Sequence, residues 1–136
     1  MAGYSGTPLV RKLGLKSGTR AIFLNAPRGY SSALGRLPEG LVVANTLAGQ
    51  FDFIQIFTTG ARELADRFPA MKKALRDTGM LWVSWPKAAA KVPSDVNETV
   101  VRRTGLAAGL VDVKVCAVDR TWSGLKLMWR LRDRKR

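Results

Sequence analysis

Four short segments of this 136-residue chain gather side chains able to bind or transform a small molecule. At 25–30 the sequence NAPRGY sets Asn25, Arg28, Gly29 and Tyr30 in one turn. That turn offers an amide, a guanidinium, a residue with no side chain and a phenol. TTG at 58–60 adds the hydroxyls of Thr58 and Thr59. SWPK at 84–87 places Ser84 and Trp85 ahead of a proline and Lys87, with Lys91 four residues on. An aromatic floor beside a cation can stack on a flat ligand and clamp an anion. DRTWSG at 119–124 holds Trp122 as a lid for the same edge. A plainer reading stands beside each of these: Trp82 and Trp85 pack on helices, Lys87, Lys91 and Arg28 are solvated, and Trp122 covers the core.

What the chain lacks narrows the chemistry further. It has no histidine and one cysteine, which removes His-dependent triads, His general bases and any ordinary zinc site. Proton transfer would fall to ten carboxylates, the lysines, two tyrosines or Cys116. The carboxylates show no paired spacing of the hydrolytic kind, and Asp52 and Asp112 fall on strand positions. Cys116 alternates with valines, as an inert thiol does. No catalytic residue and no metal ligand is therefore assigned. A single cysteine and the absence of a basic and apolar leader pattern lead to the expectation of a cytoplasmic protein. No apolar run approaches the length of a membrane span.

The elements that must carry these segments read as follows. Thr7 and Pro8 start a short helix ended by Gly14. TRAIFLN at 19–25 is a buried strand, 30–37 a short helix, and LVVA at 41–44 a short strand. FDFIQIFT at 51–58 is a strand whose Phe51, Phe53 and Phe57 are expected on one face with no polar residue. Leu64, Phe68, Met71 and Leu75 mark a helix over 60–77, with Pro69 kinking it or opening a second helix, and Thr78-Gly79 stopping it. MLWVSW at 80–85 is the next strand. Asp95 and Glu98 form a capping-box start for a helix to about 108. Val111, Val113, Val115 and Ala117, then Leu125, Leu127, Trp129 and Leu131, alternate as the better-buried faces of a terminal hairpin.

Strands alternating with helices predict one α/β domain over 1–136, with a mostly parallel, small Rossmann-like sheet and frayed tails at 1–6 and 133–136. A parallel series closed by an antiparallel hairpin is the arrangement of class I methyltransferases. One part fits badly: 45–50 is too short for a parallel crossover, which takes about a dozen residues. Either the strand at 41–44 is very short, or it runs antiparallel, or it is not a strand. In open α/β sheets ligands bind outside the carboxyl ends of the strands; the first three segments fall there, and 119–124 joins them if the sheet geometry brings the hairpin loop to the same edge.

The chain resembles a family of small bacterial proteins, of actinobacterial type, that carry a domain of unknown function. The resemblance rests on YSGTPL at 4–9, NAP at 25–27 with Gly29 and Tyr30, GMLWVSWPK at 79–87, and GLVDVKVCAVD at 109–119 with WSGLK at 122–126. It implies no particular activity. A more distant similarity, to class I methyltransferases, rests on TGMLWVS at 78–84 and the final hairpin. It implies an S-adenosylmethionine site at 25–30. The chain departs from that pattern in having one glycine in the loop, no acidic residue at 44–45 to hold ribose hydroxyls, and one strand–helix unit fewer.

Three functions follow from these readings. The first is a binding or regulatory module without catalysis, taking a small anionic ligand or partner at the strand-end loops. The second is a reduced S-adenosylmethionine-dependent methyltransferase. The third is a basic nucleic-acid-binding protein, because the formal net charge is +13. Homodimerisation through an edge strand of the terminal hairpin is a further expectation, and no membrane partner is expected.

Overall fold

The computed structural model describes residues 7–135. In chain order these form α1 (Leu9–Leu13), β1 (Arg20–Leu24), α2 (Tyr30–Leu34), β2 (Val42–Val43), β3 (Phe51–Phe57) and α3 (Ala61–Ala74). They continue with β4 (Leu75–Pro86), α4 (Glu98–Ala107), β5 (Leu110–Ala117) and β6 (Trp122–Trp129). Short 3-10 turns lie at Ala88–Ala90 and Leu131–Asp133. One six-stranded sheet runs β2-β1-β3-β4-β6-β5. Its first four strands are parallel, and β6 and β5 pair antiparallel to their neighbours. This is an α/β sheet of Rossmann-like form, parallel over four strands and closed by an antiparallel hairpin. Among the described residues no helix is long and apolar enough to cross a membrane.

Period-two alternation divides the apolar side chains between two cores. Ala21, Phe53, Phe57 and Trp82 pack with α1 and α2, against Leu13, Tyr30 and Leu34. Ile22, Ile54, Ile56, Leu81 and Val83 pack with α3 and α4, against Leu64, Met71 and Val101. Strands β1, β3 and β4 are therefore apolar on both faces, as the covered centre of a parallel sheet requires. The Trp82 indole N–H donates to the Leu13 carbonyl at 2.9 Å, which fastens α1 to the sheet.

The crossover difficulty resolves through the shortest of the three options. Strand β2 has two residues and lies parallel to the start of β1, with Arg20 opposite Val42 and Ala21 opposite Val43. Ala21 is also opposite Phe53, so Val43 already stands level with the first turn of β3. Residues 44–50 only have to pass across β1, a span of roughly 10 Å at the usual strand spacing, without descending the length of a strand.

Several local expectations change. Pro8, with extended backbone, holds the N-cap position of α1, and its carbonyl accepts from the Arg11 and Lys12 amides. Helix α2 stops at Leu34, earlier than expected. Pro69 lies inside a single α3 and opens no second helix. That helix ends at Ala74, and β4 begins at once at Leu75, so Thr78 and Gly79 belong to the strand. Gly79 is required by crowding: a Cβ there would stand 2.9 Å from the Phe51 carbonyl oxygen. Asn97, not Asp95, caps α4, accepting from the Val100 amide at 2.9 Å. Asp95 caps a different helix, accepting from the Ala61 amide of α3 at 2.7 Å.

The expected all-apolar face of β3 is broken by Gln55, which is buried beside Phe53 and Phe57. An irregularity between Phe51 and Phe53 turns Phe51 to the opposite core. On β5 the alternation misleads, because Val113 and Val115 are 49% and 43% exposed. Strand β5 is the edge of the sheet, and a bulge lies between Asp112 and Lys114. The expected fraying at 1–6 lies outside the described residues. At the other end Arg134 Nε donates to the Trp129 carbonyl at 3.1 Å.

Candidate functional site

Strand order reverses at β1: the chain goes outward to β2 and then returns past β1 to β3. The carboxyl ends of β1 and β3 therefore flank the switch point where such sheets bind ligands. Asn25 follows β1 there with a left-handed backbone (φ 57°), which swings its amide across to β3. Its Nδ2 donates to the Phe57 carbonyl at 3.1 Å and to Glu63 Oε2 at 3.3 Å. Its Oδ1 accepts from Arg67 Nη1 at 3.3 Å. Thr58 Oγ1 lies 2.7 Å from Glu63 Oε1 and donates to it. Thr58 is buried, and its amide donates to the Ser84 carbonyl of β4.

Glu63 and Arg67, one helical turn apart on α3, thus converge on one amide at the switch point. Each Glu63 oxygen accepts one bond from the protein, and a carboxylate oxygen has room for a second. The carboxylate is exposed, as is Asn25. The pair offers a fixed anion and a fixed cation to a ligand that carries both charges.

Beside it, a cleft of about 230 Å³ opens between β1, β2 and α2, with Phe23, Ala26, Tyr30, Leu34 and Val43 among its walls. Gly29, left-handed at φ 84°, has open space where a Cβ would stand, so a ligand can approach the backbone closely. Tyr30 is not a surface group. It is 4% exposed, its ring meets Phe57 edge-on at 4.7 Å, and its hydroxyl donates to Gln55 Oε1 at 2.7 Å. Gln55 Nε2 in turn donates to Ser84 Oγ at 3.1 Å, a buried polar chain running beneath the edge from α2 to β4. Burial pushes the Tyr30 phenol far above its ordinary value, and the Gln55 bond only partly offsets this.

The remaining sequence candidates separate. Ser84 and Trp85 are buried, Trp85 in the core under α3 and α4. Trp122 packs edge-on against Phe57 at 5.1 Å, and the turn before it is closed by Asp119 Oδ1 accepting from the Thr121 and Trp122 amides. Lys87 is held by its backbone, its amide donating to Thr121 O at 2.7 Å. The Thr59 carbonyl accepts from the Asp95 amide. Arg28 and Lys91 are exposed, and Lys91 has a left-handed backbone (φ 56°). Asn25, Thr58, Tyr30, Ser84 and Trp122 are joined directly or through Gln55, Glu63 and Phe57; Arg28, Thr59, Lys87 and Lys91 lie outside that cluster.

Glu63, Arg67 and Gln55 were not legible as site residues in the sequence. The one available signal was the i, i+4 spacing of Glu63 and Arg67, which ordinarily marks a solvated helix pair.

Comparison with solved structures places the fold. Aeropyrum pernix fibrillarin in complex with natively bound S-adenosyl-L-methionine matches 93% of this chain and 70% of its own, at 15% identity and TM-score 0.58. A SAM-dependent methyltransferase from Aquifex aeolicus matches 90% of this chain and 88% of its own, at 15% identity and TM-score 0.60. Precorrin-6y C5,15-methyltransferase from Geobacter metallireducens matches 90% and 86%, at 12% identity and TM-score 0.59. No family model and no curated protein sequence matches the chain. The fold is that of class I methyltransferases.

The chain's own groups at this edge suit a ligand that carries both an ammonium and a carboxylate. The Glu63 carboxylate can accept from an ammonium, the Arg67 guanidinium can donate to a carboxylate, and Gly29 leaves the backbone approachable. Ala44 and Asn45 follow β2, so no carboxylate stands at the end of that strand.

Proposed function

We propose that this chain is a reduced methyltransferase-type domain that binds S-adenosylmethionine or its product at the carboxyl edge of β1 and β3. The observation that carries the reading is the convergence of Glu63 and Arg67 on Asn25 at the switch point. Glu63 takes the ammonium of the ligand, Arg67 its carboxylate, and the Phe23–Tyr30 cleft its apolar part. When bound, the ligand supplies an electrophilic methyl group, a chemistry that needs no histidine. Losing charge-assisted bonds to the ribose costs about 1.5–3 kcal/mol, so affinity is expected about ten- to a hundredfold below that of a site with the carboxylate.

A thermal-shift titration tests this. At a hundredfold excess over its dissociation constant, a ligand adds about 2.7 kcal/mol, roughly 5–10 °C for a domain of this size. S-adenosylmethionine and S-adenosylhomocysteine should raise the midpoint, and Arg67→Met should abolish the rise. No shift with either at millimolar concentration refutes the reading.

The departures at 44–45 and in the one-glycine loop favour a second reading, a non-catalytic module that takes a small anion through Arg28, Lys87 and Lys91. Under it, phosphate or a dicarboxylate raises the midpoint while adenosyl ligands do not, and Arg28→Gln removes the effect.

A further inference from the structure

A large cleft lies away from the candidate site, at the opposite edge of the sheet. It encloses about 860 Å³ between the end of α3, the start of β4 and the segment after β6, with Lys72, Lys73, Arg76, Trp129 and Lys135 in its wall. Pro69 and Lys72 are shared with a second cleft of about 540 Å³ between α3 and α4. Arg103 and Ala107 continue from the second into a third, of about 500 Å³, along α4. The three share walls in series, so they form one elongated groove across the α3–α4 face rather than a closed pocket.

The charge in this groove is one-sided. Its walls contain six cations, Lys72, Lys73, Arg76, Arg102, Arg103 and Lys135, and two acids, Asp77 and Asp133. Some of the cations are committed internally. Lys72 Nζ donates to the Ala108 carbonyl and sits 4.9 Å from the Trp129 ring centroid; Arg76 pairs with Asp52, and Arg102 with Glu98 and Asp112. Lys73, Arg103 and Lys135 have no ion-pair or side-chain hydrogen-bond partner among the described residues. All three are exposed. Free cations spaced along an open, continuous groove suit a ligand whose anions repeat along its length. The half-buried indole of Trp129 at the wide end suits one that also carries flat aromatic groups.

We propose that this groove binds single-stranded nucleic acid, with Lys73, Arg103 and Lys135 contacting successive phosphates. The surface is separate from the adenosyl site, and the proposal does not depend on that reading. Its elongated form favours a strand over a mononucleotide, and the aromatic wall favours a nucleic acid over an acidic protein.

The test is fluorescence anisotropy of the whole chain with a labelled oligouridylate of about 12 nucleotides, a length within the usual site sizes of single-strand binders. Salt is varied between roughly 50 and 200 mM. Two triple variants with the same charge loss are compared: Lys73→Gln/Arg103→Gln/Lys135→Gln in the groove, and Arg28→Gln/Lys87→Gln/Lys91→Gln at the other edge. The groove variant should bind at least about tenfold more weakly, and its salt slope should fall by about 2, since each single-strand phosphate contact contributes about 0.7. The other variant should stay within about threefold of the parent. Equal losses in the two variants would make the affinity a property of net charge and overturn the proposal. Uridine monophosphate or heparin competing as well as the oligonucleotide, at equal phosphate or sulfate concentration, overturns it too. So does an absence of binding at the lowest salt.

Discussion

Replacing Gln55 by leucine is the sharpest test of how the sheet is held beneath the candidate site. Gln55 is fully buried; its Oε1 accepts from the Tyr30 hydroxyl at 2.7 Å and its Nε2 donates to Ser84 Oγ at 3.1 Å. Leucine fits the same apolar strand position but leaves two buried hydroxyls without their partner. Each orphaned group costs about 1–3 kcal/mol, so Gln55→Leu should lose about 2–6 kcal/mol. Replacing all three members, Tyr30→Phe/Gln55→Leu/Ser84→Ala, removes every orphan and should recover most of that loss, because an apolar trio of similar shape is close to neutral. Urea unfolding of the parent, the single variants, the Tyr30→Phe/Gln55→Leu pair and the triple variant gives the coupling energies directly. If Tyr30→Phe costs the same with and without Gln55, there is no coupling, and the buried chain is no structural unit. If the triple variant is as unstable as Gln55→Leu alone, the orphaned hydroxyls are not the cause.

Three other outcomes are expected. Gly105→Ala should destabilise the chain by about 1–3 kcal/mol despite alanine's better helix propensity. The added Cβ would stand 2.5 Å from Leu127 Cδ2, and Leu127→Ala in the same chain should relieve the clash; urea midpoints check both. Asp95→Ala should lose about 0.5–2 kcal/mol, seen as faster amide exchange in the first turn of α3, because Asp95 accepts from the Ala61 amide. Stability should also fall at alkaline pH. The Tyr30 phenol is raised above its ordinary value of 10.0 in the fold, chiefly by burial, so the unfolded chain releases that proton first. The contribution is complete below pH 10 and drains away above it, and Tyr30→Phe should flatten that part of the unfolding-against-pH curve.

Much of the frame was legible because it depends on local patterns. The continuous apolar runs of β1 and β4 and the 64, 68, 71 spacing of α3 reflect burial on both faces or one, and they appear directly in the residues. The loops at the carboxyl edge followed from strand order alone. What escaped was set by distant partners. Gln55 stands on the face of β3 expected to hold no polar residue, and only Tyr30 and Ser84, 25 and 29 residues away, account for it there. Asp95 reads as the cap of its own helix, yet it reaches 34 residues back to α3. Val113 and Val115 alternate as buried residues do, but nothing in the sequence says that β5 would lie at the sheet's end with a bulge between Asp112 and Lys114. Glu63 and Arg67 look like a solvated helix pair until Asn25 is found between them.

No loop separates α3 from β4: Ala74 ends the helix and Leu75 begins the strand. A joint without slack makes the two elements a single lever. Glu63 and Arg67 face the carboxyl edge of β1 and β3, where the adenosyl ligand is proposed, and Lys72 and Lys73 lie at the other end of α3, in the groove. Any shift of α3 on binding at one end must drag the β3–β4 pairing or displace the other end. If the two proposed ligands couple through this helix, thermodynamics makes the effect reciprocal: an adenosyl ligand that weakens strand binding by some factor is itself weakened by the strand to the same degree.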